Sequence, residues 1–178
     1  MAIIMTLFIC VVGFIIFQRI LELLVARNNE KWIKSKGGYE VGANHYPYMV
    51  AIHIGFFISL IIEFMVFKQA VSRFWLLLFV VFISLQIMRA WVIASLGRFW
   101  NTKILVLPGA HVVKKGPFHF IRHPNYVVVT SEIIIIPLMF EAYFTAIVFT
   151  LLNIIILSVR IPKEEAALRE VTDYKEVF

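Results

Sequence analysis

Two short stretches carry residue types able to do chemistry. The first runs Gly116-Pro117-Phe118-His119-Phe120-Ile121-Arg122-His123-Pro124-Asn125-Tyr126, and the second Arg160-Ile161-Pro162-Lys163-Glu164-Glu165. Gly116-Pro117 marks a turn. Pro124 holds His123 extended and suits the first turn of a following helix. Arg122 and His123 then stand before a helix N-terminus, where free amides and the helix dipole favour a carboxylate or phosphate. The same residue types also anchor proteins at a membrane interface, so both readings stay open. Arg160, four residues before Glu164, reads either as a ligand-binding arginine or as an interfacial anchor with a surface ion pair.

Five more charges, Arg19, Glu22, Glu63, Arg89 and Glu132, fall within or near apolar runs. Charge at membrane depth is costly, so such groups face a partner, the bundle interior or a water-filled cavity. Arg19 and Glu22 share a helix face and can pair locally. Gln86, Arg89 and Ile93 share a face of one run, and Asn125, Val129 and Glu132 a face of another. An Arg89–Glu132 pair is expected between them, as a stabiliser or as the wall of a substrate cavity. Glu63, near the end of its run, is expected to be solvated or to snorkel.

These residues need a scaffold, and the composition says which kind. Of 178 residues, 61% are hydrophobic and 16% charged, and the mean hydropathy is +0.89. A soluble domain would carry roughly a quarter charged residues. A span needs about 20 mostly apolar residues. Residues 2–26, 47–67 and 74–96 each qualify. The first lacks the basic start and small-residue cleavage site of a signal peptide and reads as a retained span. Residues 126–160 are too long for one span and divide into two helices of about 17 residues, with the bend at Pro137 and Glu141. The expected fold is an all-α integral membrane protein with five spans, the last two a tight hairpin. It forms one domain over residues 1–178.

Basic residues set the orientation. Residues 27–46, 97–123 and 160–178 hold most of them, whereas the other side has only Lys68 and Arg73. The positive-inside rule puts the N-terminus outside and the C-terminus in the cytoplasm of a cytoplasmic-membrane protein. Residues 162–178 read as a short cytoplasmic helix opening at Pro162. The hairpin returns both ends of residues 126–160 to one side. Arg122, His123, Tyr126, Arg160, Glu164 and Glu165 then share one neighbourhood, which favours a site over two separate anchors.

Other chemistries are not supported. The net charge of +6 is explained by topology and anionic lipid, and no nucleic-acid recognition module is visible. Neither a cysteine nor a carboxylate completes a metal set around His45 and His53, so no metal is expected. The lone Cys10 allows no internal disulfide. A small transporter or channel subunit, with Arg89 and Glu132 along a polar path, fits less well: polar residues crowd one face and no repeat is present.

The paired motifs Gly116-Pro117-Phe118…Arg122-His123-Pro124-Asn125-Tyr126 and Arg160…Glu164-Glu165-Ala166-Ala167-Leu168 resemble the isoprenylcysteine carboxyl methyltransferase family. Tyr39-Glu40…Gly42…His45-Tyr46-Pro47…His53, Leu96-Gly97…Trp100, Pro108-Gly109 and Glu132…Pro137-Leu138 extend the resemblance over nearly the whole chain, toward the bacterial branch with its alkylpyrone O-methyltransferases. The resemblance implies a membrane enzyme that transfers a methyl group from S-adenosylmethionine. It assigns cofactor contacts to His111, Val112, Val113, Phe118, His123, Pro124, Asn125, Tyr126 and Glu164, with residues 97–126 and 160–178 as the cofactor-binding elements. It gives Arg160 to the substrate; Arg89 and Glu132 stand beside it as candidate catalytic residues. The implied acceptor is an enol, phenol or carboxylate oxygen on a lipid-like molecule, and the implied partner is a type III polyketide synthase. A non-catalytic membrane scaffold for such a synthase is the rival within this reading. Val128, where the prenylcysteine branch has glycine, and the reduced tail Val171-Thr172-Asp173-Tyr174 point away from a prenylated protein substrate.

Overall fold

The computed structural model describes residues 2–67 and 71–178. Lys68, one of the two basic residues assigned to the outer side, lies outside them. Helix α1 (Ala2–Ser35) runs beyond the apolar stretch expected to end at Ala26. Residues 27–35 contain no helix breaker, and Lys34 pairs with Glu30 at 2.6 Å across one turn. The helix stops where Gly37, at φ 89°, turns the chain, with Gly38 N–H donating to the Ile33 carbonyl. The segment expected to be a loop is therefore half helix.

The all-helical expectation also misses a small antiparallel ribbon. Strand β1 (Tyr39–Val41) pairs with β2 (Ile104–Val106), Tyr39 opposite Val106 and Val41 opposite Ile104. Ile104 and Val106 bury one face of it. The other α-helices among the described residues are α2 (Tyr46–Val66), α3 (Trp75–Leu96), α4 (Pro124–Met139), α5 (Tyr143–Val171) and α6 (Tyr174–Val177). Among the described residues four helices are long and apolar enough to cross a membrane: α1, α2 with the turn before it, α3 and α5. The fifth expected span, α4, has 16 residues, about 24 Å at 1.5 Å per residue.

The α4–α5 hairpin forms as expected, with its bend between Pro137 and Glu141 as the sequence suggests. Phe140 N–H and Ala142 N–H both donate to the Pro137 carbonyl, at 3.0 and 2.9 Å, and Glu141 takes φ 56°. Glu63 is not a solvated group. Its carboxylate, carried by α2, accepts from Phe144 N–H at 3.0 Å, Thr145 N–H at 2.7 Å and the Thr145 hydroxyl at 2.6 Å. It thus caps the positive end of α5 from a neighbouring helix.

A second correction concerns Pro162. It lies inside α5, which continues without a break to Val171. A proline removes one helical donor and costs most where the helix is otherwise free. Here Arg160 and Ala167, on either side, are buried against the rest of the molecule. The expected separate tail helix is reduced to α6.

At the hairpin end of the bundle three rings lock α1, α2 and the turn together. Phe8 stacks on Phe64 at 3.7 Å between centroids, and Phe140 meets both edge-on. Asn153 Nδ2 donates to Thr130 Oγ1 at 2.9 Å, a polar tie between α5 and α4.

Candidate active site

The opposite end of the bundle is organised by side chains that fold loop 97–106 onto α1. Asn29 Nδ2 donates to the carbonyls of Gly97 and Trp100, and Asn101 Nδ2 to that of Ala26. Lys103 reaches Glu30 at 3.0 Å and Glu40 at 3.1 Å. The hydrogen bond to Glu30, seconded by Glu40, holds its ammonium above the usual lysine range. The next segment is pressed onto α3 by Gly116, at φ 58°. A Cβ there would come within 2.2 Å of Ser95 Oγ, so only glycine permits the approach.

Between this loop, the start of α4 and the far end of α5 lies a cavity of about 160 Å³. His111, Val112, Val113, Phe118, His123, Asn125, Tyr126, Arg160 and Glu164 all line it, as do Lys103, Arg122 and Trp100. Pro124 does not; it is buried at the first turn of α4 and sets where that helix begins. His111 is a rim residue, its side chain 93% exposed. Its Nδ1 meets Asp173 at 2.8 Å, while Val112 N–H donates to the other carboxylate oxygen at 2.7 Å. These bonds, His111 first, hold the Asp173 carboxyl below its ordinary range. They tie the strip 111–113 to the residues after α5. Burial first, and then Glu165, push the Tyr174 hydroxyl up to about 12.

The centre of the site is a relay. Arg160 Nε donates to Tyr126 Oη at 2.7 Å, and Tyr126 Oη donates to Glu164. Arg160 and Glu164 are therefore joined through a phenol, not paired directly. Arg160 Nη2 donates to the Thr102 carbonyl at 2.7 Å, and Nη1 lies 3.1 Å from Met49 Sδ. Arg160 is 4% exposed. Its rigid fork is thus fixed by α2, α4 and loop 97–106 together. His123 sits beside Glu165, Nε2 to Oε1 at 3.0 Å, with its ring 5.4 Å from that of Tyr126.

The expected neighbourhood of Arg122, His123, Tyr126, Arg160, Glu164 and Glu165 is thus present. The helix N-terminus is a poorer anion site than the sequence suggests, because the His123 carbonyl takes the amides of Tyr126 and Val127. Sequence reasoning missed Met49 and Thr102. The Thr102 contact uses a backbone carbonyl, which no residue type signals.

Among the buried polar atoms on the cavity wall without a partner in the described residues are Asn125 Oδ1, an acceptor, and Trp100 Nε1, a donor. Buried polar groups are nearly always satisfied. Both residues also line a second cavity of about 300 Å³ on the other side of Tyr126 and Arg160. Its walls are mainly apolar side chains such as Val50, Phe57, Val129 and Ile156.

Deeper in the bundle the two expected ion pairs merge into one network. Arg19 pairs with Glu22 at 2.7 Å and also with Glu132. Arg89 pairs with Glu132 and, at 3.2 Å, with Glu22. Gln86 donates to Glu132 and Gln18 to Glu22. Arg89 is 1% exposed and Glu132 3%. Arg19, Glu22 and Arg89 line one wall of the second cavity, and Glu132 stands behind them.

Comparison with known proteins shows the family. The model of the isoprenylcysteine carboxyl methyltransferase (ICMT) family matches residues 75–170, just over half the chain and including both motifs of the relay. The uncharacterized protein YpbQ of Bacillus subtilis (strain 168) is 47% identical over 164 residues, covering 92% of this chain and 98% of its own. An uncharacterized protein of Haemophilus influenzae is 30% identical over 156 residues, covering 84% and 88%. No solved structure matches. The chain belongs to the isoprenylcysteine carboxyl methyltransferase family, whose members are membrane methyltransferases.

Proposed function

We propose that this protein transfers a methyl group from S-adenosylmethionine to an oxygen of a lipid-like acceptor. The observation that carries the reading is the pair of cavities, the smaller the more polar of the two and the larger mainly apolar, meeting at Trp100, Asn101, Asn125, Tyr126 and Arg160. A charged cofactor and an apolar acceptor need such a division with a shared wall.

The residues of the smaller cavity fit the cofactor. Asn125 Oδ1 and Trp100 Nε1 are an unanswered acceptor and an unanswered donor, suited to a ligand with amine and hydroxyl groups. Glu164 gives one carboxylate oxygen to Tyr126 and has the other for an ammonium. Arg122 and Lys103, on the same walls, suit a carboxylate. When bound, the cofactor supplies a methyl group on a sulfonium that is its own leaving group. The protein's part is then to position and to exclude water. Tyr126 fixes the distance between the two cavities, and Arg160 presents a guanidinium to an acceptor oxygen that carries charge.

The acceptor in this reading is an enol or phenol oxygen, as on an alkylpyrone-type polyketide, or a carboxylate, with its chain among the apolar side chains of the larger cavity. A type III polyketide synthase would supply the first kind. α4 serves as a short fifth span, the N-terminus lies outside and the relay faces the cytoplasm. The basic residues of 97–123 and 160–178 support that orientation. Mass spectrometry of lipid extracts from cells with and without the protein tests the function. A lipid heavier by one methyl group is expected, and extracts with identical lipid masses contradict the proposal.

A further inference from the structure

His53 lies on α2, ahead of the matched residues 75–170, and nothing above has used it. Its Nδ1 is 2.8 Å from the Met49 carbonyl. A carbonyl only accepts, so Nδ1 carries the hydrogen, and the neutral ring keeps its lone pair on Nε2. Nε2 has no hydrogen-bond partner among the described residues, while the ring lines the larger cavity. That lone pair is therefore open to a ligand donor in the cavity. Met49, one turn before His53, carries the sulfur that touches Arg160. The histidine thus stands one turn of α2 from the residue that touches this guanidinium, and both line the same cavity.

From this geometry we infer that His53 is the general base of the transfer, and that the acceptor carries a weakly acidic hydroxyl, an enol or phenol, rather than a carboxylate. This rests on the proposed function above and narrows it. The acceptor O–H bond breaks as its proton passes to Nε2. The electron pair left on oxygen forms the new bond to the methyl carbon, and the pair of the former carbon–sulfur bond stays on the donor's sulfur as a neutral thioether. The imidazolium then releases its proton to water. The charged groups around the ring are Arg19 and Glu22 of α1, Arg89 of α3, Glu132 of α4 and Arg160 of α5. Three guanidiniums against two carboxylates leave one positive charge in excess. That excess favours an acceptor oxyanion and the later release of the proton from His53. A carboxylic acid would arrive ionised and need no base.

The test uses the full chain in lipid nanodiscs with two probes of equal chain length, a long-chain 4-alkylphenol and a saturated fatty acid. His53→Asn retains a donor near the Met49 carbonyl and removes Nε2; His53→Gln is the second variant should the first unfold. Methylation of the alkylphenol is expected to fall roughly 100-fold in either variant, with cofactor affinity unchanged and the acidic limb of the wild-type pH profile gone. In protein labelled with ¹⁵N-histidine, the His53 Nε2 resonance should report an unprotonated nitrogen at neutral pH and shift when alkylphenol is added. Variants within threefold of wild type on the alkylphenol overturn the inference. So does a wild type that methylates only the fatty acid. Should neither probe be methylated, a protonated Nε2, or one that alkylphenol does not shift, overturns it. A wild type that binds no S-adenosylmethionine instead contradicts the proposed function itself.

Discussion

The buried network of Arg19, Glu22, Arg89 and Glu132 and the relay of Arg160, Tyr126 and Glu164 use the same residue types, and they are finished differently. In the network every charge is answered by another within the bundle, with Gln18 and Gln86 adding donors and Gln18 Oε1 left without a partner. Around the relay, Asn125 Oδ1 and Trp100 Nε1 are buried and unanswered, and cavities open on both sides of Tyr126. The network's charges are matched inside the bundle, whereas the relay's surroundings leave a buried acceptor and a buried donor open at a cavity wall. Charged residues in apolar runs are therefore poor guides to function until their partners are counted.

The largest effect that separates the two regions comes from the network. Glu132→Leu leaves Arg89 buried with only Glu22 and is expected to lower stability by about 3–5 kcal/mol, read as thermal unfolding in detergent. Adding Arg89→Met should recover much of that loss, since a buried pair replaced by apolar groups is often neutral. A double variant no better than Glu132→Leu alone would mean that the network does more than hold helices.

The relay should respond in turnover. For Arg160→Ala, methyl transfer is expected to fall roughly 100-fold, the order seen when one oxyanion-holding donor is removed, with cofactor affinity largely kept. Loss of both together would move Arg160 to the cofactor. Tyr126→Phe keeps the ring and removes the hydroxyl between Arg160 and Glu164. About a tenfold loss is expected, the scale of one charge-assisted hydrogen bond, seen by steady-state kinetics on the same lipid.

The smallest effect is a pH slope. Asp173, after α5, accepts from Val112 N–H and meets His111, and these bonds, His111 first, hold its carboxyl below the ordinary value of 3.8. The folded chain therefore releases this proton more readily than the unfolded one. The stability that Asp173 contributes should be present above 3.8 and be lost as pH falls below it. Thermal melts across pH 3–6 should show this slope, reduced in Asp173→Asn. An unchanged slope in that variant would place its origin elsewhere.

Much of this organisation is legible in the sequence, for specific reasons. The long apolar runs of α1, α2, α3 and α5 need only counting, and the hairpin follows from a run too long for one span and too short for three. Its return brings the two polar motifs together. What could not be read depends on contacts between distant residues. Glu63 reads as a snorkelling group because the N-terminus it caps belongs to another helix. Three-residue strands such as β1 and β2 are too short for alternation to signal. Pro162 reads as a start because its neighbours' burial, which keeps α5 whole, is a tertiary fact. The relay's anchors at Met49 and Thr102 are a sulfur and a backbone carbonyl, and neither has a pattern.

The central claim is that the cavity between loop 97–123 and the end of α5 holds S-adenosylmethionine. Calorimetric titration of the purified protein with S-adenosylmethionine, for the wild type, Glu164→Ala and His123→Ala, tests it most directly. Saturable binding by the wild type, weakened about tenfold or more in both variants, is the predicted result. No binding by the wild type, or an affinity unchanged in both variants, would contradict it.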